Sequence, residues 1–336
     1  MTIYRFHDLT LEVHPADLEA RAGLARLWSH LSWVPATDGL SGNLASHFEI
    51  RLHDAIGSVP QSASFAFQAE GFSVLESSDG FYVSDGDSIF HLQIDAGKGD
   101  AYLHPSFFSK PISLQYKFWS YGLLRLLRPS GFYSLHAAGL KTTNGEGILI
   151  IGPSGSGKST AALGLIRQGF CYLSDDAVLL RKTGEEVTAF ALRKHFFLDS
   201  SAASDHSDLT LGEEIPDNQG GRRRRIHVED AYPSQQISEC IPGVLLFSTI
   251  VADAQSALRP LTPAAALKLL LDASGSQLFD RPTMASHMET LRQLLRQTTA
   301  YRLEAGGDML ADPSHLVRLL ATVNENGHKW HVSLSN

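Results

Sequence analysis

The sequence is poor in cysteine, with only Cys171 and Cys240 among 336 residues. Metal sites built on cysteine need more ligands at closer spacing, so none is expected. Both cysteines sit inside apolar runs, which predicts two buried thiols rather than a disulfide. There is no basic excess: 28 Lys and Arg face 36 Asp and Glu, for a net charge of −8. Nucleic-acid binders usually carry a basic footprint, so no nucleic-acid partner is expected. No apolar run is long enough to span a bilayer, so no membrane partner is expected either. The opening stretch MTIYRFHDLTLEVHP lacks a charged-then-apolar leader pattern. Together these absences predict a cytoplasmic protein. No internal repeat occurs.

What is present has the composition of a globular chain, with 43% hydrophobic residues. The length favours two domains or one elaborated one. Residues 1–112 read as β-rich. Phe81–Val83 and Ile89–Ile94 flank Ser84-Asp85-Gly86-Asp87, a hairpin signal in which Asp-Gly supplies the turn. Residues 14–30 predict a helix with Leu18, Leu24 and Leu27 on one face. A second helix is expected from Ser113 to Leu127, capped by Ser113 and stopped by Pro129.

From there strands and helices alternate, the mark of an α/β domain over 113–336. Strands are expected at Ile148–Ile151, Cys171–Leu173, Val178–Leu180, Val187–Leu192 and Val244–Phe247. A helix is expected over Ser159–Gln168, ended by Gly169 in the left-handed conformation. Residues 199–221 are rich in Ser, Asp and Gly and read as a mobile loop. Four arginines follow, Arg222 to Arg225. They read either as a solvated run balanced by nearby acids or as a basic lid that closes on a phosphoryl group. Thr262-Pro263 and Asp312-Pro313 are helix-start signals, and the tail is helical with apolar stripes suited to core packing.

The sharpest motif is Gly152-Pro153-Ser154-Gly155-Ser156-Gly157-Lys158-Ser159, followed by Thr160. It fits the phosphate-loop pattern. Its glycines let successive backbone N–H groups turn toward phosphate oxygens. A helix starting near Lys158 adds its positive end. Lys158 brings a full charge, and the Ser159 hydroxyl suits Mg²⁺. An apolar strand enters the loop and an amphipathic helix leaves it.

The loop alone does not choose among kinase, motor and switch. Asp175 and Asp176 narrow the choice. One carboxylate can hold Mg²⁺ and the other can take the proton of an attacking hydroxyl. Adjacent carboxylates repel, which raises the proton affinity of one. No L-S-G-G-Q segment follows the loop, which counts against a transporter ATPase.

Leu135-His136-Ala137-Ala138-Gly139, then GILIIGPSGSGKST, then GFCYLSDDAVLL follow in order. In order, spacing and chemistry they resemble the catalytic domain of the HPr kinase/phosphorylase family, over roughly residues 131–182. The resemblance implies a phosphate-loop kinase domain of the HPr kinase/phosphoenolpyruvate carboxykinase-like type, with a smaller β-rich N-terminal domain. It implies ATP and Mg²⁺ as cofactors. It implies His136 beside the active site, Asp175 as the general base toward an acceptor serine, and Asp176 with the metal. It also implies a homo-oligomer.

Thr160 stands where HPr kinases usually carry glutamate, and the family's second Gly- and Arg-rich signature is absent. These departures turn the expected acceptor from HPr itself toward a serine of another protein or a precursor peptide. Related stand-alone members are associated with modified-peptide clusters, including those for lasso peptides. A small-molecule hydroxyl kinase and a nucleotide-gated regulatory protein with weak ATPase activity are the alternatives.

Overall fold

The computed structural model describes residues 1–29, 31–35, 46–53, 57–69, 71–199, 214–216, 221–253, 255–275, 281–312 and 314–325. It is mixed α/β and divides into two compact units, Met1–Phe132 and Tyr133–Asn336. The division falls after the helix Ile112–Leu127, not before it. That helix packs into the first unit: Phe118 and Trp119 meet Phe90, and Gly122 lets the Phe90 ring lie against the helix backbone. Ser113 is not its cap; it lies in the first turn, behind Pro111.

The first unit is built on a nine-stranded sheet, with Val34–Pro35 at one edge and Ser64–Ala69 at the other. The expected hairpin is present, pairing Gly80–Ser84 with Ile89–Gln93. The Asp85 carboxylate closes its turn by accepting from the Asp87 and Ser88 amides. The strand alternation predicts one buried and one wet face. Leu11, Val13, Ile50, Leu92 and Ala101 are buried. Glu12, His14, Glu49 and Arg51 pair with one another on the other face. The first helix is Leu18–Trp28, capped by Asp17, whose carboxylate accepts from Ala20. Leu18, placed on the apolar face by the sequence, is instead 81% exposed because it opens the first turn.

The second unit holds a six-stranded sheet. Its order is Cys171–Ser174, Ala137–Lys141, Gly147–Ile151, Pro242–Ile250, Thr299–Ala305, Ala257–Pro260. Gly147–Ile151, Pro242–Ile250 and Thr299–Ala305 run parallel. Both faces are covered, so their sequences are continuous apolar runs. Ile148, Ile150, Val244 and Leu246 join one core with the helices Lys158–Arg167 and His315–Glu325. Leu149, Ile151, Leu245 and Phe247 join the other, with Pro263–Ser274 and Arg281–Gln297.

A four-stranded antiparallel sheet pairs Tyr133–Leu135, Val178–Thr183, Glu186–Ala191 and Glu239–Cys240. Cys240 is buried as expected, but Cys171 is only partly buried; both are free thiols. Burial pushes the Cys240 thiol up to about 12.

The arginine run pairs with a preceding acid, as one of its two readings expects, since Arg222 and Arg224 both meet Glu214, but it is a strand and not a loop. Arg222–His227 is the central strand of a three-stranded antiparallel sheet, between His195–Asp199 and Glu214–Pro216. The sequence reads this run as loop because alternation is hidden by four identical residues. Pairing on both sides supplies the backbone hydrogen bonds that a lid would lack. The rest of the expected 199–221 loop lies largely outside the described residues. So does Pro313, part of the second helix-start signal; Asp312 accepts from the Ser314 amide beside it.

Candidate active site

The parallel strand Gly147–Ile151 feeds directly into the loop 152–157, and Lys158 opens the next helix. The turn depends on Gly155 and Gly157, with φ of 80° and 86°, values that glycine adopts without steric cost. Gly152 is required for another reason. A Cβ there would stand 2.7 Å from the Ser248 carbonyl oxygen and 2.5 Å from Ser156 Oγ. Ser248, on the neighbouring strand, donates to the Ser156 carbonyl at 2.7 Å and fastens the loop. Sequence reading missed this brace.

Lys158 is buried. Its ammonium donates to the carbonyls of Gly152 and Pro153, at 2.8 and 2.9 Å, and to His136 Nε2 at 3.0 Å. His136 Nδ1 lies 2.7 Å from the Asp176 carbonyl oxygen, which can only accept. The ring proton therefore sits on Nδ1, and Nε2 is the acceptor for Lys158. Burial lowers the affinity of Lys158 for its proton, against the pull of Asp176 and Asp175.

Asp175 and Asp176 occupy the corner where the chain leaves the six-stranded sheet at Ser174 and enters the four-stranded sheet at Val178. The two side chains face different surroundings. Asp175 is 2% exposed. Its Oδ2 accepts from Ser159 Oγ at 2.8 Å, and its buried Oδ1 has no partner among the described residues. Burial raises its proton affinity, and the neighbouring Asp176 charge adds to that. Asp176 has φ 65°, a left-handed conformation that aspartate tolerates better than most residues. Its carboxylate pairs with Arg193 and lies 3.2 Å from His136 Nδ1. Burial opposes its ionisation, but Arg193, His136 and Lys158 outweigh that and hold it down at about 2.

Arg193 and Ser174 carry no motif and were missed. The only sequence signal for Arg193 is a charge directly after an apolar strand. Ser174 is a buried hub. It donates to the Ala177 carbonyl at 2.6 Å and accepts from the Leu192 and Arg193 amides. It thereby ties the Asp corner to the segment that carries Arg193.

Ser154, Gly155, Gly157, Lys158, Ser159 and Thr160 line one cavity of 160 Å³ with Asp175 and Asp176. Gly152 and Pro153 line a different one. Ser156 is buried and lines neither cavity. From the arginine run only Arg223 lines the loop cavity. Arg222 and Arg224 both pair with Glu214 instead, at 2.8 and 3.8 Å.

The donor set fits Mg²⁺, a hard cation that takes one or two carboxylates together with substrate phosphates. Asp175 Oδ1 is an orphaned buried oxygen, and the Ser159 hydroxyl stands beside the same carboxylate. Among the described residues no group of three or more His, Cys, Asp or Glu could hold a metal by itself. No helix among them is long and apolar enough to cross a membrane.

Residues 133–197 match the model of the HPr Serine kinase C-terminal domain. The HPr kinase/phosphorylase of Chlorobium chlorochromatii is 40% identical over 63 residues, 19% of this chain and 19% of that protein. That of Lachnoclostridium phytofermentans is 44% identical over 66 residues, 19% of this chain and 21% of that protein. That of Mycoplasmopsis pulmonis is 55% identical over 42 residues, 12% and 14% of the two chains. The matched stretch thus spans about a fifth or less of these relatives' length. A solved structure of the Hpr(Ser) kinase/phosphatase from Coxiella burnetii superposes loosely, with a TM-score of 0.31 and 14% identity. It covers 57% of this chain and 91% of that one. The matched segment contains His136, the whole loop, both aspartates and Arg193, and this segment is similar to the C-terminal domain of HPr kinases.

Proposed function

We propose that the protein is an ATP-dependent kinase that transfers the γ-phosphoryl group to a serine hydroxyl of a protein or precursor peptide. One observation carries the reading. Lys158, the Ser159–Asp175 pair and Asp176 converge on a single cavity around the loop.

The loop amides and Lys158 bind the phosphates. On their arrival the ammonium exchanges the Gly152 and Pro153 carbonyls for phosphate oxygens. His136, expected among the catalytic residues, keeps Lys158 aimed and holds Asp176 by its backbone. Ser159 and Asp176, with the free Oδ1 of Asp175 near them, would hold Mg²⁺. When bound, that ion neutralises charge on the transferring phosphates.

Asp175 orients the acceptor hydroxyl and takes its proton, a role suited by its raised proton affinity. Arg223 lies where it can spread the charge of the transferring group. Because the transition state is loose, positioning and charge stabilisation do most of the catalysis. The same reading includes cytoplasmic location, self-assembly and an acceptor of the lasso-precursor kind.

Incubation with γ-labelled ATP, Mg²⁺ and serine-bearing peptides tests it. Label recovered as phosphoserine supports the proposal. Label released from ATP only as inorganic phosphate, whichever peptide is present, speaks for a regulatory ATPase instead.

A further inference from the structure

The strand Arg222–His227 divides its basic residues between two faces, because successive side chains alternate. Arg222, Arg224 and Ile226 share one face. Ile226 enters the core there with Phe196 and Leu198 of the paired strand, and both arginines pair with Glu214. Arg223, Arg225 and His227 share the other face. On the paired strand His195–Asp199, Phe197 stands opposite Arg225 and His195 opposite His227. Ring contacts join that face: the His195 centroid lies 4.8 Å from Phe197 and 5.9 Å from His227.

This face begins at the loop cavity. Arg223 and Phe197 line the cavity, whereas Arg225 and His227 do not. A strand rises about 3.3 Å per residue, so Arg225 and His227 follow Arg223 at about 7 and about 13 Å. Lys194 adds a further charge near His227. Burial and the Arg225 charge lower the proton affinity of His227; Asp230 opposes them and Lys194 adds to them. The chain as a whole has a net charge of −8, so this gathering of cations runs against its composition. Neither Arg225 nor His227 has a part in the phosphoryl transfer described above.

We infer that Arg225 and His227 form a docking track for acidic side chains of the acceptor peptide, an inference that rests on the kinase reading. A base and ribose carry no charge for such cations to meet; an acidic acceptor does. An extended peptide also has the repeat of the strand. Residues two and four places from its serine project to one side, at about 7 and about 13 Å from it. With the serine in the loop cavity, Glu or Asp at these places meets Arg225 and His227. The Arg225 guanidinium takes a carboxylate through two parallel hydrogen bonds, and a carboxylate beside His227 favours its charged form. Phe197, half-buried opposite Arg225, offers apolar surface to the methylenes of a glutamate.

The test reads binding and transfer separately on the full chain. Each peptide carries one serine with glutamate two and four places before it or after it, and matched peptides carry alanine or lysine there. Fluorescence anisotropy measures binding, and γ-labelled ATP with Mg²⁺ measures transfer. The wild type is expected to bind one glutamate series about tenfold or more tightly than its alanine match, the scale of one charged hydrogen bond. Arg225→Gln should bring the two within about threefold, while Arg222→Ala, on the opposite face, keeps the preference. Arg225→Glu should favour the lysine peptide, a reversal that misfolding cannot produce; if that variant does not fold, the ratio in Arg225→Gln decides. Equal binding of glutamate and alanine peptides by the wild type, or a preference that survives Arg225→Gln, overturns the inference. The underlying reading fails differently: preferential binding without transfer refutes the kinase and not the track, and transfer without preference refutes the track and not the kinase.

Discussion

The Ser159 hydroxyl donates to Asp175 Oδ2 at 2.8 Å, so the loop is joined to the more buried of the two aspartates. Asp175→Asn should therefore keep nucleotide binding and lose transfer by about 100-fold or more, the scale of a lost general base. Asp176→Asn should chiefly raise the Mg²⁺ concentration needed. Isothermal Mg²⁺ titrations in the presence of nucleotide compare the two. If Asp175→Asn is the variant that loses Mg²⁺, the roles of the two carboxylates are exchanged.

The proton balance of this pair gives a pH dependence. Asp175 has a raised proton affinity, so it remains protonated, and inactive as a base, above the ordinary aspartate value of about 3.9. The acid limb of the rate profile is expected above that value. Removing the neighbouring charge with Asp176→Asn should move the limb to lower pH. A limb that stays fixed would show that Asp176 does not act on it.

Arg223 and Arg222 are adjacent in sequence but serve opposite faces of one strand. Arg223 lines the loop cavity, whereas Arg222 pairs with Glu214 and is exposed. Arg223→Ala should lower kcat by about 100-fold, the scale of a lost charge-stabilising donor. Arg222→Ala should change it by less than about threefold, since exposed ion pairs contribute little. Equal effects from both would refute the assignment of Arg223.

The Arg193–Asp176 pair affects stability as well. Asp176 is held at about 2, below its ordinary value, so the pair contributes stability above pH ~3.9 that is lost as pH falls through about 2. The Asp176 side chain is 42% exposed, so solvent screening limits the contribution to under about 1 kcal/mol. Urea unfolding of Arg193→Met should show that deficit near neutral pH and a narrowing gap toward pH 2. A gap independent of pH would assign the deficit to lost packing.

Ser174→Ala removes the acceptor of two amides, that of Leu192 buried and that of Arg193 partly so, and should cost about 1–3 kcal/mol. Thermal unfolding measures this directly, and an unchanged midpoint would remove Ser174 from the account of the corner.

Local chemistry was legible where a residue type has one physical use. Glycines at positive φ, Lys158 at a helix start and paired aspartates after a strand announce themselves. The entry strand, the helix after it and the hairpin at Asp85-Gly86 were legible for the same reason. Supports that act across the fold were not. Ser174, Ser248 and Arg193 reach the site through neighbouring strands whose pairing no local pattern encodes. The run Arg222–Arg225 hid a strand, because alternation cannot be seen in identical residues. Leu18 misled in the opposite way, since its apolar character gave no hint that it opens a helix turn toward solvent.

The most direct test is intact-mass spectrometry of candidate serine peptides after incubation with the purified protein and Mg-ATP, beside Lys158→Ala. The account predicts one added phosphate on a serine, absent with the variant. Clear ATP binding without transfer to any peptide, or transfer that persists in Lys158→Ala, would contradict it.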